Sequence, residues 1–336
     1  MAQQQPIDNS SPIPVIHVSS ELVLLDAIVA DRKTGQLVTT LTANDFTLEE
    51  DGIPQKIRYF SQDKLPLSIV LLFDLTQSVQ PQLKSLGEGA LEILQHLKPE
   101  DEVAVMTFSS STQMLQPFTR DHQSVAAAIQ AAARKKSNEG TFLDEDIYEG
   151  VDAAMQSTVS GSRRVLVFFT DGTENDANRM TRKIYGKSAP VHLHKGPEAK
   201  EKLMQTGVTV SALIDRPIAD DAIIAMTMVS PLSYVFGLSP RLDHVARLAA
   251  ETGGPVLHTS GKQAAAKLAT LIEELRGRYT IGYVPSTPQP DGTFCHLKLK
   301  LTPAALATHP APGHCTVQAR AGYYRSSINP SPGRAK

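Results

Sequence analysis

Between residues 66 and 277, apolar runs alternate with segments of helical period. SIVLLFD (68 to 74) precedes a helix expected around 80 to 97, EVAVMTF precedes QSVAAAIQAAA, and RRVLVFFTD (163 to 171) precedes a long connection and then PEAKEKLMQ. VTVSALI is followed by RLDHVARLAAE, and GPVLHTS by KQAAAKLATLIEELRGR. Short continuous apolar runs read as strands covered on both faces, and parallel neighbours need a crossover connection. The alternation therefore predicts an α/β unit with a doubly wound, mainly parallel sheet.

Both ends of the chain have a different pattern. Residues 15 to 62 read as strands through VIHV, ELVLLDAIVAD, DFTLEE and QKIRYFS, the last two joined across the turn signal Asp51-Gly52. Residues 279 to 324 read likewise through YTIGYVP, the alternating TFCHLKLKL and CTVQARAGYY. Neither end holds enough strands to bury a core by itself. Together they predict one antiparallel β-sandwich interrupted by the α/β unit, with its two chain ends close in space. The expected organisation is a disordered leader (1 to 14), an N-terminal β-sandwich segment (15 to 62), the α/β domain (66 to 277), a C-terminal β-sandwich segment (278 to 325) and a disordered tail (326 to 336).

Composition narrows the function classes. A chain with 41% hydrophobic and 20% charged residues can bury a core, and a net charge of -2 gives no general attraction to nucleic acid or anionic lipid. The longest apolar runs, LPLSIVLLF and AIIAMTMV, are far shorter than the roughly 20 residues of a membrane-spanning helix. The start, MAQQQPIDNSSPIP, is no secretion signal, and an initiator Met ahead of AQQQ suits a chain trimmed at a signal cleavage site. Cys295 and Cys315 both fall in strand-like segments. They either bridge a hairpin, which would stabilise by roughly 3 kcal/mol in an oxidising compartment, or remain two small buried thiols.

The candidate chemistry sits at strand ends. SIVLLFD runs into DLTQS, so Asp74, Thr76 and Ser78 lie on the loop leaving the first central strand, where doubly wound sheets bind ligands. A carboxylate and two hydroxyls at alternate loop positions suit a hard divalent cation such as Mg²⁺, Mn²⁺ or Ca²⁺, although a solvated loop gives the same short pattern. VLVFFTDG delivers a second carboxylate, Asp171, before the turn residue Gly172. Thr141, in NEGTFLDEDIYEGVDAA, stands just before an amphipathic helix, and by itself reads as an N-cap. Asp144, Glu145 and Asp146 read as first-turn acids favoured by the helix dipole, or as acids standing behind the metal ligands. His192 and His194 read as solvated loop residues, and the apolar segment 214 to 240 as either a partner patch or a cover for the core.

FDLTQS, EGTFLDEDIYEGV and VFFTDGTEN, in this order, resemble the metal-ion-dependent adhesion site of the von Willebrand factor A family, over about residues 66 to 277. Thr76 stands where the family usually has serine, and keeps the hydroxyl; Gln77 stands where glycine is often found. The flanks, LLDAIVADRKTGQLVTTLTANDFTLEEDGIPQKIRYFS and LRGRYTIGYVPSTPQPDGTFCHLKLKL with RAGYY, resemble von Willebrand factor A-related proteins of acidobacteria. The resemblance implies a Rossmann-like A domain inserted in an Ig-like sandwich. It further implies a divalent metal held by Asp74, Thr76, Ser78, Thr141 and Asp171, and an exported protein in the extracellular space, periplasm or cell envelope. The site then binds a protein partner presenting Glu or Asp to an open metal position, without catalysis. Two alternatives are a structural cell-envelope module whose metal stabilises the fold, and a metal-dependent hydrolase. Against the hydrolase, the position two residues after Asp74 is Thr76 rather than a second acid, and the chain has no GxSxG, GxxxxGK[ST] or HExxH.

Overall fold

The computed structural model describes residues 22–31, 34–137, 141–172, 194, 196–215, 244–260, 263–287, 289–308 and 315–325 of the 336-residue chain. The expected leader, VIHV, His192, nearly all of the apolar segment 214 to 240 and the C-terminal tail lie outside the described residues.

Strands β5 (Leu67–Asp74), β6 (Glu102–Phe108), β7 (Thr112–Thr119), β8 (Arg163–Thr170), β9 (Thr209–Asp215) and β10 (Val256–Thr259) form a six-stranded sheet in the order β10-β9-β8-β5-β6-β7. All neighbours are parallel except β7, which runs antiparallel to β6 at the edge. The helices are α1 (Gln80–Glu88), α2 (Ala90–Leu94), α3 (His122–Arg134), α4 (Leu143–Met155), α5 (Gly196–Thr206), α6 (His244–Thr252) and α7 (Ala264–Arg276). Alternate side chains of a strand point to opposite faces. Leu67, Ile69, Leu71 and Phe73 of β5 accordingly pack with α1, α2, α3 and α7. Val70 and Leu72 pack with α4, α5 and α6 on the other side. The mainly parallel, doubly wound sheet expected from the sequence is present.

Two local differences have simple causes. The helix expected over 80 to 97 is two helices that meet at Gly89, where a Cβ would lie 2.9 Å from the Ala265 Cβ; the close approach of α7 requires glycine there. The edge strand β7 does not stand out in the sequence, because its partly buried TQMLQPFT carries Pro117, which lacks the amide a central strand needs and is tolerated at an edge.

The terminal segments make two four-stranded antiparallel sheets. One comprises β1 (Val23–Asp31), β4 (Ile57–Ser61), β11 (Tyr279–Tyr283) and β13 (Cys315–Ala319) in the order β13-β1-β11-β4. The other comprises β2 (Phe46–Glu50), β3 (Ile53–Gln55), β12 (Phe294–Leu301) and β14 (Gly322–Tyr324) in the order β14-β12-β2-β3. A short helix, α8 (Pro303–Thr308), follows β12. Each sheet combines strands from both ends, and one apolar cluster, including Leu25, Val29, Phe46, Leu48, Tyr279, Ile281 and Leu297, spans the two. Asp51 and Gly52, at φ 49° and 81°, form the tight turn after β2. They join β2 to the short β3, whereas QKIRYFS crosses to the other sheet as β4 and pairs with β11. The chain leaves through Ser61 and returns through Thr280, which face each other across β4 and β11.

Cys295 and Cys315 are free thiols. The bridged hairpin is not formed, because the two strands belong to different sheets: β12 pairs with β2 and β14, and β13 with β1.

The α/β sheet is fastened to the β1/β11 sheet by a buried side chain, Arg163 at the start of β8. Its Nε donates to Asp26 Oδ2 at 3.1 Å, and its Nη atoms donate to the Arg276 and Arg278 carbonyls and to Thr280 Oγ1 at 2.9 Å. Removing one partner of a buried ion pair strands the other, which costs about 3–5 kcal/mol. Arg163→Ala should therefore lower the urea-unfolding free energy by about that amount; a loss below about 1 kcal/mol would show that the fastening lies elsewhere.

Candidate metal centre

All eight residues of β5 are buried, so the strand carries its last residue, Asp74, to the C-terminal edge of the sheet while still enclosed by protein. The chain then turns sharply: Leu75 donates its N–H to the Phe108 carbonyl, and Gln77–Val79 form a single 3-10 turn ahead of α1. This turn closes on Asp74. Thr76 N–H donates to Asp74 Oδ1 at 2.9 Å, and Thr170 Oγ1, at the end of β8, donates to Oδ2 at 2.9 Å. Both oxygens are thus oriented by the chain itself. Gly172, at φ 75°, turns the chain after Asp171 and donates its N–H to Thr170 Oγ1.

The two strand-end loops are joined by hydrogen bonds. Thr76 Oγ1 lies 3.2 Å from Ser78 Oγ, and Ser78 Oγ donates to Asp171 Oδ2 at 2.6 Å. Asp74, Thr76, Ser78 and Asp171 therefore form one connected set of oxygen donors. Thr141 is buried at the start of α4, but the N-cap position belongs to Phe142 and carries no side-chain cap bond, so the capping role does not apply. Among the described residues no hydrogen bond ties Thr141 to the other four. Its loop is nevertheless tethered to theirs, since Ser137 donates its N–H to the Leu75 carbonyl.

Burial lifts the Asp74 carboxyl to about 6, against the pull of the bonds from Thr76 and Thr170, and the charge of Asp171 adds to the rise. Asp215, the last residue of β9, is also lifted to about 6 by burial, again with Asp171 adding. Asp215 is absent from the candidates drawn from the sequence, although VTVSALID ends an apolar strand in an aspartate just as SIVLLFD and VLVFFTD do. Asp144, Glu145 and Asp146 stand in the first turn of α4 as expected, but Asp146 differs in its surroundings. It is buried, accepts a bond from Thr112 Oγ1 at 3.0 Å, and is held well above the usual carboxylate range by burial, with a contribution from Asp74. Its place three residues after Leu143, on the sheet side of α4, was the available signal.

His194 is engaged with α4. Its Nδ1 lies 3.0 Å from Glu145 Oε2, its ring stacks on Tyr148, and Lys202 Nζ sits 3.3 Å from the centre of that tyrosine ring. Asp144 is 3.6 Å from His244 Nε2.

Residues 68–207, within the α/β unit, match the family model of the von Willebrand factor type A domain. Among solved structures, the chain is similar to BatB from Bacteroides thetaiotaomicron, at 16% identity over 62% of this chain and 98% of that one, with a TM-score of 0.41. It is similar to the vWF domain of the type V pili tip protein Mfa5 from Porphyromonas gingivalis, at 11% identity over 63% of this chain and 96% of that one, TM-score 0.42. It is also similar to a von Willebrand factor type A protein from Catenulispora acidiphila, at 11% identity over 86% of this chain and 75% of that one, TM-score 0.44. No curated protein matches the chain.

A carboxyl raised on folding keeps in the native state a proton that the unfolded chain has already released. In metal-free protein the contribution of Asp74 is therefore complete below its ordinary value of 3.8 and is lost as pH rises through about 6. Urea unfolding of chelator-treated protein across this range should show stability declining with pH, and Asp74→Asn should flatten the decline. Equal pH slopes in the two proteins would contradict the assignment.

Proposed function

We propose that this protein is a non-catalytic binding module that holds a divalent cation, Mg²⁺, Mn²⁺ or Ca²⁺, through Asp74, Thr76, Ser78, Thr141 and Asp171, and uses it to recognise an acidic side chain of a protein partner. The observation that carries the reading is the short bond from Ser78 Oγ to Asp171 Oδ2, which brings the DLTQS loop and the β8 loop to one point beside the buried Asp74 carboxylate. Two carboxylates, one of them buried, and two hydroxyls are a hard, all-oxygen donor set. It suits these ions and not the soft metals that seek thiolates.

When bound, the ion supplies positive charge and a water-held position that a carboxylate from outside can take. The residues of the chain prepare that position. Asp74 and Asp171 furnish the charge, Thr76 and Ser78 furnish neutral oxygens, and Thr170 keeps the Asp74 carboxylate turned toward the loop. Few direct carboxylates leave the centre short of negative charge, which favours an acidic partner. Among the described residues, position 76 offers a threonine in place of a second acid, and His194 is engaged with Glu145. The reading extends to two domains, an A domain over 66 to 277 within an Ig-like β-sandwich, and to an exported location. The location rests on the likeness of the flanking segments, since the free cysteines lend it no support.

Calorimetric titration of metal-stripped protein should show saturable binding of one ion, lost in Asp74→Ala and in Asp171→Ala. Thr170→Val, which removes a group that orients a ligand without being one, should weaken binding about tenfold to a hundredfold. Absence of binding by the intact protein to all three ions would overturn the metal reading.

A further inference from the structure

The metal-centre candidates lie at the C-terminal ends of the parallel strands. At the opposite edge, where β8 and β9 begin and the α/β unit meets the β1/β11 sheet, there is a cavity of about 290 Å³. Its chemistry comes from Asp26, Arg163, Arg164, Thr209, Thr280 and Arg320. Arg278 stands directly behind Thr209, donating to its Oγ1 at 3.5 Å.

The charges here do not balance. Arg163 is paired with Asp26 at 3.1 Å. Arg278 is almost wholly buried and is held by the Gly253 carbonyl at 3.0 Å, while its Nε meets no acceptor. Arg320 is held by neutral acceptors, the carbonyls of Leu203, Met204 and Val208 and the Met204 sulfur. Among the described residues neither Arg278 nor Arg320 has a carboxylate within ion-pair distance. The enclosed Nε of Arg164 likewise meets no acceptor. Three guanidinium groups thus line a small space and a fourth, Arg278, stands behind it, with Asp26 as the one carboxylate on its wall; Glu274 is the further acid whose charge reaches Arg278. Burial pulls both Arg278 and Arg320 down to about 10, and the charges of Arg163 and Arg320 add to the fall at Arg278. Enclosed or half-buried cations held only by neutral acceptors remain electrostatically uncompensated, and guanidinium groups with neighbouring hydroxyls form the donor set that suits a multiply charged oxyanion.

We propose that this junction cavity binds an oxyanion of the phosphate class, either as the free ion or as the terminal group of a phosphomonoester, with Arg164 and Arg320 as its charged contacts. The site shares no residue with the metal centre, and bound anion bridges the α/β sheet to the strands at both ends of the chain. Such a ligand stabilises the junction in proportion to its occupancy.

The test is calorimetric titration of the full, metal-stripped chain with inorganic phosphate and with phosphoserine, at matched ionic strength in chloride. Arg164→Gln keeps all of the carbonyl bonds described above, and should weaken binding about tenfold without changing the melting temperature measured in chloride. Asp26→Asn removes the competing carboxylate and should tighten binding, and Asp171→Ala should leave it unchanged. Tighter binding of phosphoserine than of phosphate would identify a phosphomonoester as the ligand; equal or weaker binding would identify the free ion. No saturable binding at millimolar concentrations of either, or affinity unaltered by Arg164→Gln, would overturn the proposal.

Discussion

A parallel strand buried on both faces has one way out, its C-terminal end, and β5 is such a strand. It is paired with β8 on one edge and β6 on the other, and its alternate side chains enter two different apolar cores. Every side chain of the strand is covered, so its last residue, Asp74, is delivered to the sheet edge while still shielded from water. The burial of that carboxyl, its need for the Thr76 and Thr170 donors, and the shape of the DLTQS turn all follow from this one constraint.

The same constraint explains why acids gather there. Asp171 follows β8 directly and Asp215 ends β9, the adjacent strand in the same sheet, and the charge of Asp171 makes ionisation of both Asp74 and Asp215 harder. A cluster of acids around one buried carboxyl is costly unless protons or a cation offset it. Hydrogen bonds from serine and threonine meet part of that cost, and a cation at the strand ends would meet the rest.

At the other edge of the sheet the sign is reversed. Strand beginnings and helix ends turn carbonyl oxygens toward the junction, and arginines fill it: Arg163 reaches Asp26 and Thr280, Arg276 reaches Asp101 at 2.6 Å, and Arg278 and Arg320 rest on carbonyls. Apart from the Arg276–Asp101 pair, which lies within the α/β unit, these bonds run between that unit and strands or residues from both ends of the chain, so attachment of the two is polar and directional as well as hydrophobic. Gly254 fits the same picture, since a Cβ there would fall 1.7 Å from the Val210 carbonyl oxygen beneath it.

Period and punctuation by themselves determined the α/β alternation, the mainly parallel central sheet, the β character of both ends, and the strand-end positions of Asp74 and Asp171, because burial on one or two faces imposes a repeat that is local in sequence. The hydrogen-bonded union of Thr76, Ser78 and Asp171 was legible only through family likeness, since no local pattern shows that loops 93 residues apart will touch. Only the tertiary structure decided which sheet each terminal strand joins, so that QKIRYFS leaves its expected partner and the two cysteines are kept apart. It alone revealed Asp146 as a buried acid and drew the arginines into one cavity. Strand pairing and charge desolvation depend on what lies across the fold, and residues distant in the chain supply that environment.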